Sequence, residues 1–205
     1  MSAFPGSPLV TRGMIIGIDP FNPVSSIIRF QYNPDTMTRT LAARGAGDGA
    51  DKGEMLHLKG PPRETMAVEI EIDAADKLEA GDGLTTENGI TPQLSALEML
   101  IYPKSALVIA NAVLSAVGLV EIIPASAPLT IFAWGPRRSV PVRIDGMTIT
   151  EQAFDPKLNP IRASVKLTMT VMTYQDLGLL SVGGALFMTY QVQKEVLATI
   201  SSLGG

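Results

Sequence analysis

The chain has 205 residues, of which 46% are apolar and 18% charged, with a formal net charge of −4 and a pI near 5.0. This length supports one main domain with a real core, and the weak basic character argues against nucleic acid as a partner because phosphate binding depends on Lys and Arg. Cysteine is absent, which excludes disulfide frameworks, thiolate metal sites and cysteine nucleophiles.

Three strands and a long loop are predicted in the first third of the chain. Residues 14–18 and 26–32 are short apolar runs followed by Pro-containing turns, which is typical of strands. Residues 65–73 alternate strictly between two sets of side chains, so they predict a half-buried strand with an acidic outer face. Residues 43–63 collect Gly, Ala, Asp and Lys, and they predict an exposed loop.

The middle of the chain combines a polar stretch with two helical segments. Residues 74–90 are polar and contain glycine, so they predict another loop. Thr91 as an N-cap, with Pro92 at the first helical position, predicts a helix. The apolar run at 106–120 is shorter than the roughly 20 residues that span a bilayer. We expect it to form a helix within 104–123 that is buried or lies at an interface, with membrane contact as the alternative.

Two further strands and a hairpin are predicted next. Residues 129–134 read as a buried strand that ends at the only tryptophan, Trp134. Residues 140–144 and 147–152 predict two strands, and the Asp145-Gly146 pair between them predicts the hairpin turn that joins them.

The strand predicted at 163–174 has two different faces. Its apolar face consists of Val165, Leu167, Met169 and Val171, and its polar face of Ser164, Lys166, Thr168 and Thr170. Helical spacing from residue 181 onward predicts a terminal helix. We therefore expect a mainly β (α+β) fold, with a β domain at 1–175 and a helical tail at 176–205.

The residue types that carry chemistry are sparse. His57 is the only histidine and lies in the predicted loop at 43–63, where an exposed residue is the plain interpretation. Glu69, Glu71 and Asp73 are spaced two residues apart, as on any strand with a solvent-exposed face, so they do not indicate paired catalytic acids. We expect no catalytic residue, no metal site and no cofactor, and hence no enzyme.

Trp134 and the basic pair that follows it allow two interpretations. A tryptophan at the end of a buried strand is most simply a core anchor. Arg137 and Arg138 are either solvated or pair with the acids of a neighbouring subunit, for which Glu69 and Glu71 are the candidates.

Four short motifs follow one another in the chain: FQYNP at 30–34, ET at 64–65, APLTIFAWG at 127–135 and NPIRASVKL at 159–167. In this order they resemble the tube-like family of contractile injection systems, the phage-tail-like machines of bacteria. The resemblance runs from about residue 27 to residue 175.

This resemblance implies a baseplate-proximal adaptor, a ring that joins the spike complex to the inner tube. It implies a small β-sandwich or barrel with a flanking helix, six copies of which close one barrel around a lumen. The polar face formed by Ser164, Lys166, Thr168 and Thr170 would then line the lumen. Expected partners are further copies of the chain and the inner tube, spike and baseplate proteins of a particle in the bacterial cytoplasm.

The end of the chain departs from the family pattern. Related adaptors often continue into a LysM-type module, whereas this sequence stops after one apolar helix, which we interpret as a docking element for a neighbouring protein. The N-terminus has no basic region followed by an apolar run, so no secretory signal is predicted. The alternative function is a β-sandwich module that contacts a membrane or a hydrophobic ligand through 106–120.

Overall fold

The structure is a computed structural model that describes residues 11–19, 22–45, 57–116, 127–135 and 137–203. The strands in this part of the chain form one antiparallel sheet with the order β2-β1-β5-β6-β7-β4-β3. The strands are β1 (Met14–Asp19), β2 (Asn22–Arg29), β3 (Met37–Ala42), β4 (Arg63–Asp73), β5 (Leu129–Ala133), β6 (Ser139–Phe154) and β7 (Pro160–Val171). The helices are α1 (Ala75–Glu79), α2 (Gly83–Asn88), α3 (Thr91–Glu98), α4 (Ser105–Ala116), α5 (Tyr174–Leu177) and α6 (Val182–Leu203).

The mainly β, α+β class expected from the sequence is confirmed, with several helices beside an antiparallel sheet. All seven strands belong to one hydrogen-bonded sheet. Within the described residues, β2 and β3 each pair with a single neighbour, so they are the two edges of the sheet.

The two-faced pattern predicted for β7 is confirmed by burial. Val165, Leu167 and Met169 are 0% exposed and Val171 is 2% exposed. Ser164 and Thr170 are half-buried, whereas Lys166 and Thr168 are exposed. Because each fully buried aliphatic side chain contributes about 1.5–3 kcal/mol, this one face of β7 is a major source of stability.

Two helices complete the core beside the sheet. Leu94 and Leu97 of α3, together with Leu100 just after it, are buried in the main hydrophobic cluster. A Cβ at Gly17 of β1 would lie 2.6 Å from Cδ2 of Leu100, so a larger residue there would require the Leu100 side chain to shift. Phe187 and Tyr190 of α6 join the same cluster, and the first half of the C-terminal helix is therefore part of the domain core.

The predicted hairpin at Asp145-Gly146 is wrong. β6 runs without interruption from Ser139 to Phe154 and pairs with β7 along its length, with a register irregularity between Ile144 and Gly146. A β-bulge at this point shifts the alternation by one residue and bends the strand without reversing it. The chain reverses at 155–159 instead, where the Asp155 carboxylate accepts hydrogen bonds from the backbone N–H groups of Lys157 and Asn159.

The predicted loop at 74–90 is also wrong in part, because it contains α1 and α2. Asp82 is the N-cap of α2, and its carboxylate accepts a hydrogen bond from the backbone N–H of Thr85. The strand β3 was not predicted at all. Of the loop predicted at 43–63, residues 46–56 lie outside the described part of the chain, and residue 63 already begins β4.

The apolar segment at 106–120 forms α4 as far as residue 116, and its last four residues lie outside the described part of the chain. None of the twelve residues of α4 is buried in the single chain. The expectation was a helix that is buried or lies at an interface; burial within the single chain is wrong, and the interface alternative stays a prediction. Its exposed apolar side chains include Val108, Ile109 and Val113.

Candidate assembly surface

The polar face of β7 continues onto both neighbouring strands. Lys166 lies opposite Glu69 of β4 and Thr148 of β6. Ser164 donates a hydrogen bond from Oγ to Oε1 of Glu69 over 2.6 Å. Four of the predicted residues, Ser164, Lys166, Thr168 and Thr170, thus belong to one continuous polar surface, which we name the polar face.

One end of the polar face is basic. Arg44, Arg63 and Arg143 line a cleft of about 320 Å³ together with Thr170 and Asp176. A hydrogen bond from Nη1 of Arg44 reaches Oε1 of Gln175 over 3.0 Å, and one from Nε of Arg143 reaches Oδ1 of Asp145 over 2.9 Å. We name this the basic cleft.

The charge of the basic cleft acts on the carboxylate within it. Burial raises the pKa of Asp176, but hydrogen bonds from Thr173 and the positive charges of Arg44 and Arg143 outweigh burial, so the pKa lies below its ordinary value. The backbone N–H and the hydroxyl of Thr173 both donate to this carboxylate at 2.8 Å. Asp176 is therefore engaged with Thr173, in the capping box that begins α5.

The opposite end of the polar face is acidic. Asp35, Glu69, Glu71 and Asp76 line a cleft of about 770 Å³, and Arg12 is its one basic lining residue in the described part of the chain. Glu69 and Glu71 lie on the same face of β4 as Arg63, at the far end of the strand. We name this the acidic cleft.

Trp134 and the basic pair lie at a third cleft. Trp134 is half-buried against the core, with its ring stacked on Phe132 at a centroid distance of 6.0 Å. Arg137 is exposed and Arg138 half-buried, and both line a cleft beside Arg39. Trp134 thus packs against the outside of the main hydrophobic cluster.

The predicted contact residues do not meet within one chain. Arg137 and Arg138 line the cleft beside Arg39, whereas Glu69 and Glu71 line the acidic cleft. Any pairing between these two sets would therefore join different copies.

A buried ion cluster beside this third cleft was not predicted. Glu64 is 3% exposed, and its carboxylate accepts hydrogen bonds from Nε of Arg39 over 2.7 Å and from Nζ of Lys194 over 3.0 Å. Burial raises the pKa of Glu64, but the hydrogen bonds from Lys194 and Arg39 outweigh it and hold the pKa below its ordinary value. Glu64 occupies an inward position in the alternation of β4, in phase with Met66 and Val68, and this was the signal available in the sequence.

The remaining candidates of the sequence carry no site in the described part of the chain. His57 is exposed. Among the residues that the structure describes, no three carboxylate or histidine side chains are grouped so that they could hold a metal ion. The described helices include none with the length and apolar character needed to cross a membrane.

A scan against models of protein families finds none that matches this chain, and a search of curated proteins finds no relative. The sequence motifs and the geometry of the polar face and its two clefts are the features that bear on function.

Proposed function

We propose that this protein is a structural subunit of a contractile injection system, a ring-forming adaptor at the baseplate that joins the spike complex to the inner tube. The proposal is supported by the order of the four motifs at 30–34, 64–65, 127–135 and 159–167. It is also supported by the architecture, an antiparallel sheet whose two edge strands pair with one neighbour each.

The observation that carries the proposal is the contrast between the two faces of β7. Its apolar face is fully used by the core of one subunit, whereas Lys166 and Thr168 remain exposed on the opposite face of the strand. In a ring of six copies this polar face lines a water-filled lumen, because inward and outward residues alternate along every strand of a barrel. Ring closure also covers sheet edges that would otherwise invite aggregation.

Contacts between subunits use the charged residues that the fold leaves accessible. Glu69, Glu71 and Arg137 are exposed, and Arg138 is half-buried, so all four are available to neighbours. The second half of α6 supplies a docking element for adjacent proteins of the particle. Its outward stripe contains Val192, Val196 and Ile200, which are about half exposed.

The proposal is tested by the mass of the purified full-length chain and by imaging. We expect a ring or a complex with tube, spike or sheath proteins in solution, and a tagged chain located at one level of a phage-tail-like particle in cryo-electron micrographs from the native cell. A chain that stays monomeric with those proteins present, and a tag absent from such particles, would contradict the proposal.

A second candidate function is favoured by the exposure of α4. Val108, Ile109 and Val113 are each more than half exposed on a helix that contains no charged residue. Such a surface suits a hydrophobic ligand or the surface of a membrane. Flotation with liposomes distinguishes the two functions: a monomer that floats with vesicles, and no longer does so when Val108 and Val113 are replaced by Ser, supports this second function against the first.

A further inference from the structure

The two clefts at the ends of the polar face carry opposite charge. The basic cleft is lined by three guanidinium groups and one carboxylate, and that carboxylate, Asp176, is already held by Thr173. The acidic cleft is lined by four carboxylates and one guanidinium group, that of Arg12. Surfaces arranged in this way attract each other and repel copies of themselves.

Most donors of the basic cleft have no partner among the described residues. A guanidinium group has five N–H donors in a fixed fork. In the described residues, Arg44 has one side-chain hydrogen bond, to Gln175, and Arg143 has one, to Asp145. The exposed Arg63 has neither an ion pair nor a side-chain hydrogen bond among the described residues. The guanidinium groups of the cleft therefore present paired N–H donors, the geometry that binds both oxygens of a carboxylate.

The two clefts cannot satisfy each other inside one subunit. Arg63 and Glu71 lie on the same face of β4 and are eight residues apart in an extended strand, which separates their Cα atoms by about 26 Å. A contact between the clefts must therefore join two molecules.

The chemistry of the basic cleft favours protein carboxylates over a polyphosphate or nucleic acid. The far end of the polar face carries Glu69 and Glu71, and the chain as a whole has a net charge of −4, so no extended basic field runs along this face. Binding to nucleic acid needs such a field along many phosphates. One isolated group of arginines is instead suited to a few carboxylates at fixed positions.

We propose that the basic cleft of one copy binds the acidic cleft of a second copy, with Arg63 and Arg143 facing the carboxylates of Glu69 and Glu71. The contact is heterologous, because each copy contributes a different surface, and it joins copies end to end along the strands, separately from the edge strands β2 and β3 that close the ring. The inference deepens the proposed assembly function and rests on it. It assigns Arg63 and Arg143, rather than Arg137 and Arg138, as the partners of the acids.

Cross-linking between introduced cysteines tests this pairing directly, because the natural chain has no cysteine. Full-length Arg63→Cys and Glu71→Cys chains are mixed under assembly conditions, treated with a bis-maleimide whose spacer is about as long as an Arg–Glu ion pair, and analysed under denaturing conditions. We expect a linked dimer from the mixture and little from either variant alone; a direct disulfide would need Cα atoms within about 7 Å, closer than an ion pair of two long side chains requires. Arg137→Cys mixed with Glu71→Cys is the matched control, and we expect it to link at least about tenfold more slowly.

Charge reversal gives an independent test that does not require a cross-link. Arg63→Glu and Glu71→Arg are both exposed substitutions, so we expect each variant to fold. Each alone should weaken association by about tenfold or more, and the chain with both should recover to within about threefold of the wild type. A double variant that associates as weakly as the single variants contradicts the inference.

The outcomes separate this inference from the proposed function. Two results would overturn the pairing and leave the assembly function standing, provided that the copies still assemble normally. In the first, the mixture of Arg63→Cys and Glu71→Cys chains fails to link. In the second, Arg63→Cys links with itself as fast as the mixture does. A chain that never associates, alone or with particle components, overturns both. Efficient linking of the mixture together with rescue by charge reversal supports the pairing.

Discussion

Tyr190 on α6 donates a hydrogen bond from its hydroxyl to Oε1 of the buried carboxylate of Glu64 on β4, over 3.1 Å. The same hydroxyl accepts a hydrogen bond from Nη2 of Arg39 over 2.8 Å. Nζ of Lys194, one turn further along α6, lies 4.0 Å from the centroid of the Tyr190 ring. One buried carboxylate thus ties the C-terminal helix to two strands of the sheet.

Replacement of Tyr190 by Phe tests the tyrosine's part in this link. Burial, together with the negative charge of Glu64, raises the pKa of Tyr190 to about 12. At neutral pH the free energy of unfolding of the variant should be about 1 kcal/mol lower than that of the wild type, which is the contribution of one buried hydrogen bond. Because the unfolded tyrosine ionises near pH 10, the wild type should lose a further 2–3 kcal/mol or so between pH 10 and pH 12, and the variant should not.

Denaturant unfolding across this pH range measures the loss of stability. The difference in tyrosinate absorbance between wild type and variant reports the pH at which Tyr190 is half ionised. Parallel stability curves for the two proteins would show that Tyr190 ionises equally in both states, against the prediction.

Replacement of Glu64 by Gln tests the carboxylate. Its folded pKa lies below the ordinary value of 4.5, so ionisation of Glu64 stabilises the fold above that pH, and this stability is lost as the pH falls through the folded pKa. The variant should be about 1–3 kcal/mol less stable at neutral pH, since Arg39 and Lys194 lose a charged partner. It should also lose less stability than the wild type on acidification.

Glu69→Gln is the matched control for this experiment, because Glu69 is exposed on the same strand and bonds only Ser164 among the described side chains. We expect its stability to remain within about 0.5 kcal/mol of the wild type. An equal effect of the two substitutions would show that the buried cluster contributes nothing of its own.

A pair of lysine substitutions tests the two faces of β7. Val165→Lys places a charge at a position that is 0% exposed and has no acidic partner, so the chain should unfold or lose more than about 4 kcal/mol. Thr168→Lys should leave the fold within about 1 kcal/mol of the wild type, because Thr168 is exposed and lies between Ala67 and Gly146 on the neighbouring strands. Circular dichroism with thermal unfolding measures both, and similar behaviour of the two variants would refute the assignment of faces.

Strands in which apolar and polar residues alternate strictly could be predicted from the sequence, because burial of one face places an apolar side chain at every second position. β4 and β7 were located in this way, within two or three residues at each end. The error at Asp145-Gly146 has the same origin. Val142 and Ile144 face inward before this pair and Met147 after it, and either a two-residue turn or a bulge produces that change of phase.

Features that depend on contacts distant in sequence could not be predicted. The basic cleft brings together Arg44, Arg63 and Arg143, which belong to three separate parts of the chain, and no local pattern joins them. The edge strand β3 escaped prediction because an edge has little buried surface: Thr38, Thr40 and Leu41 are all exposed. Glu64 was not predicted either, although its position in phase with the apolar face of β4 was a signal in the sequence, since a charged residue at such a position indicates a buried partner.

A pair of glycine substitutions separates backbone strain from steric conflict. Gly89 has φ +58°, and a Cβ there would collide with the backbone oxygen of Pro160, which accepts a hydrogen bond from the N–H of Ile90 over 2.9 Å. Gly81 has φ +71°, but a Cβ there would meet nothing within 4 Å. Gly81→Ala should therefore cost about 1 kcal/mol, from the positive φ alone, whereas Gly89→Ala should cost at least about 3 kcal/mol because the backbone of β7 must also move. Urea unfolding of both variants measures the difference, and equal losses would show that Gly89 is required for its φ and not for the close packing of α2 against the start of β7.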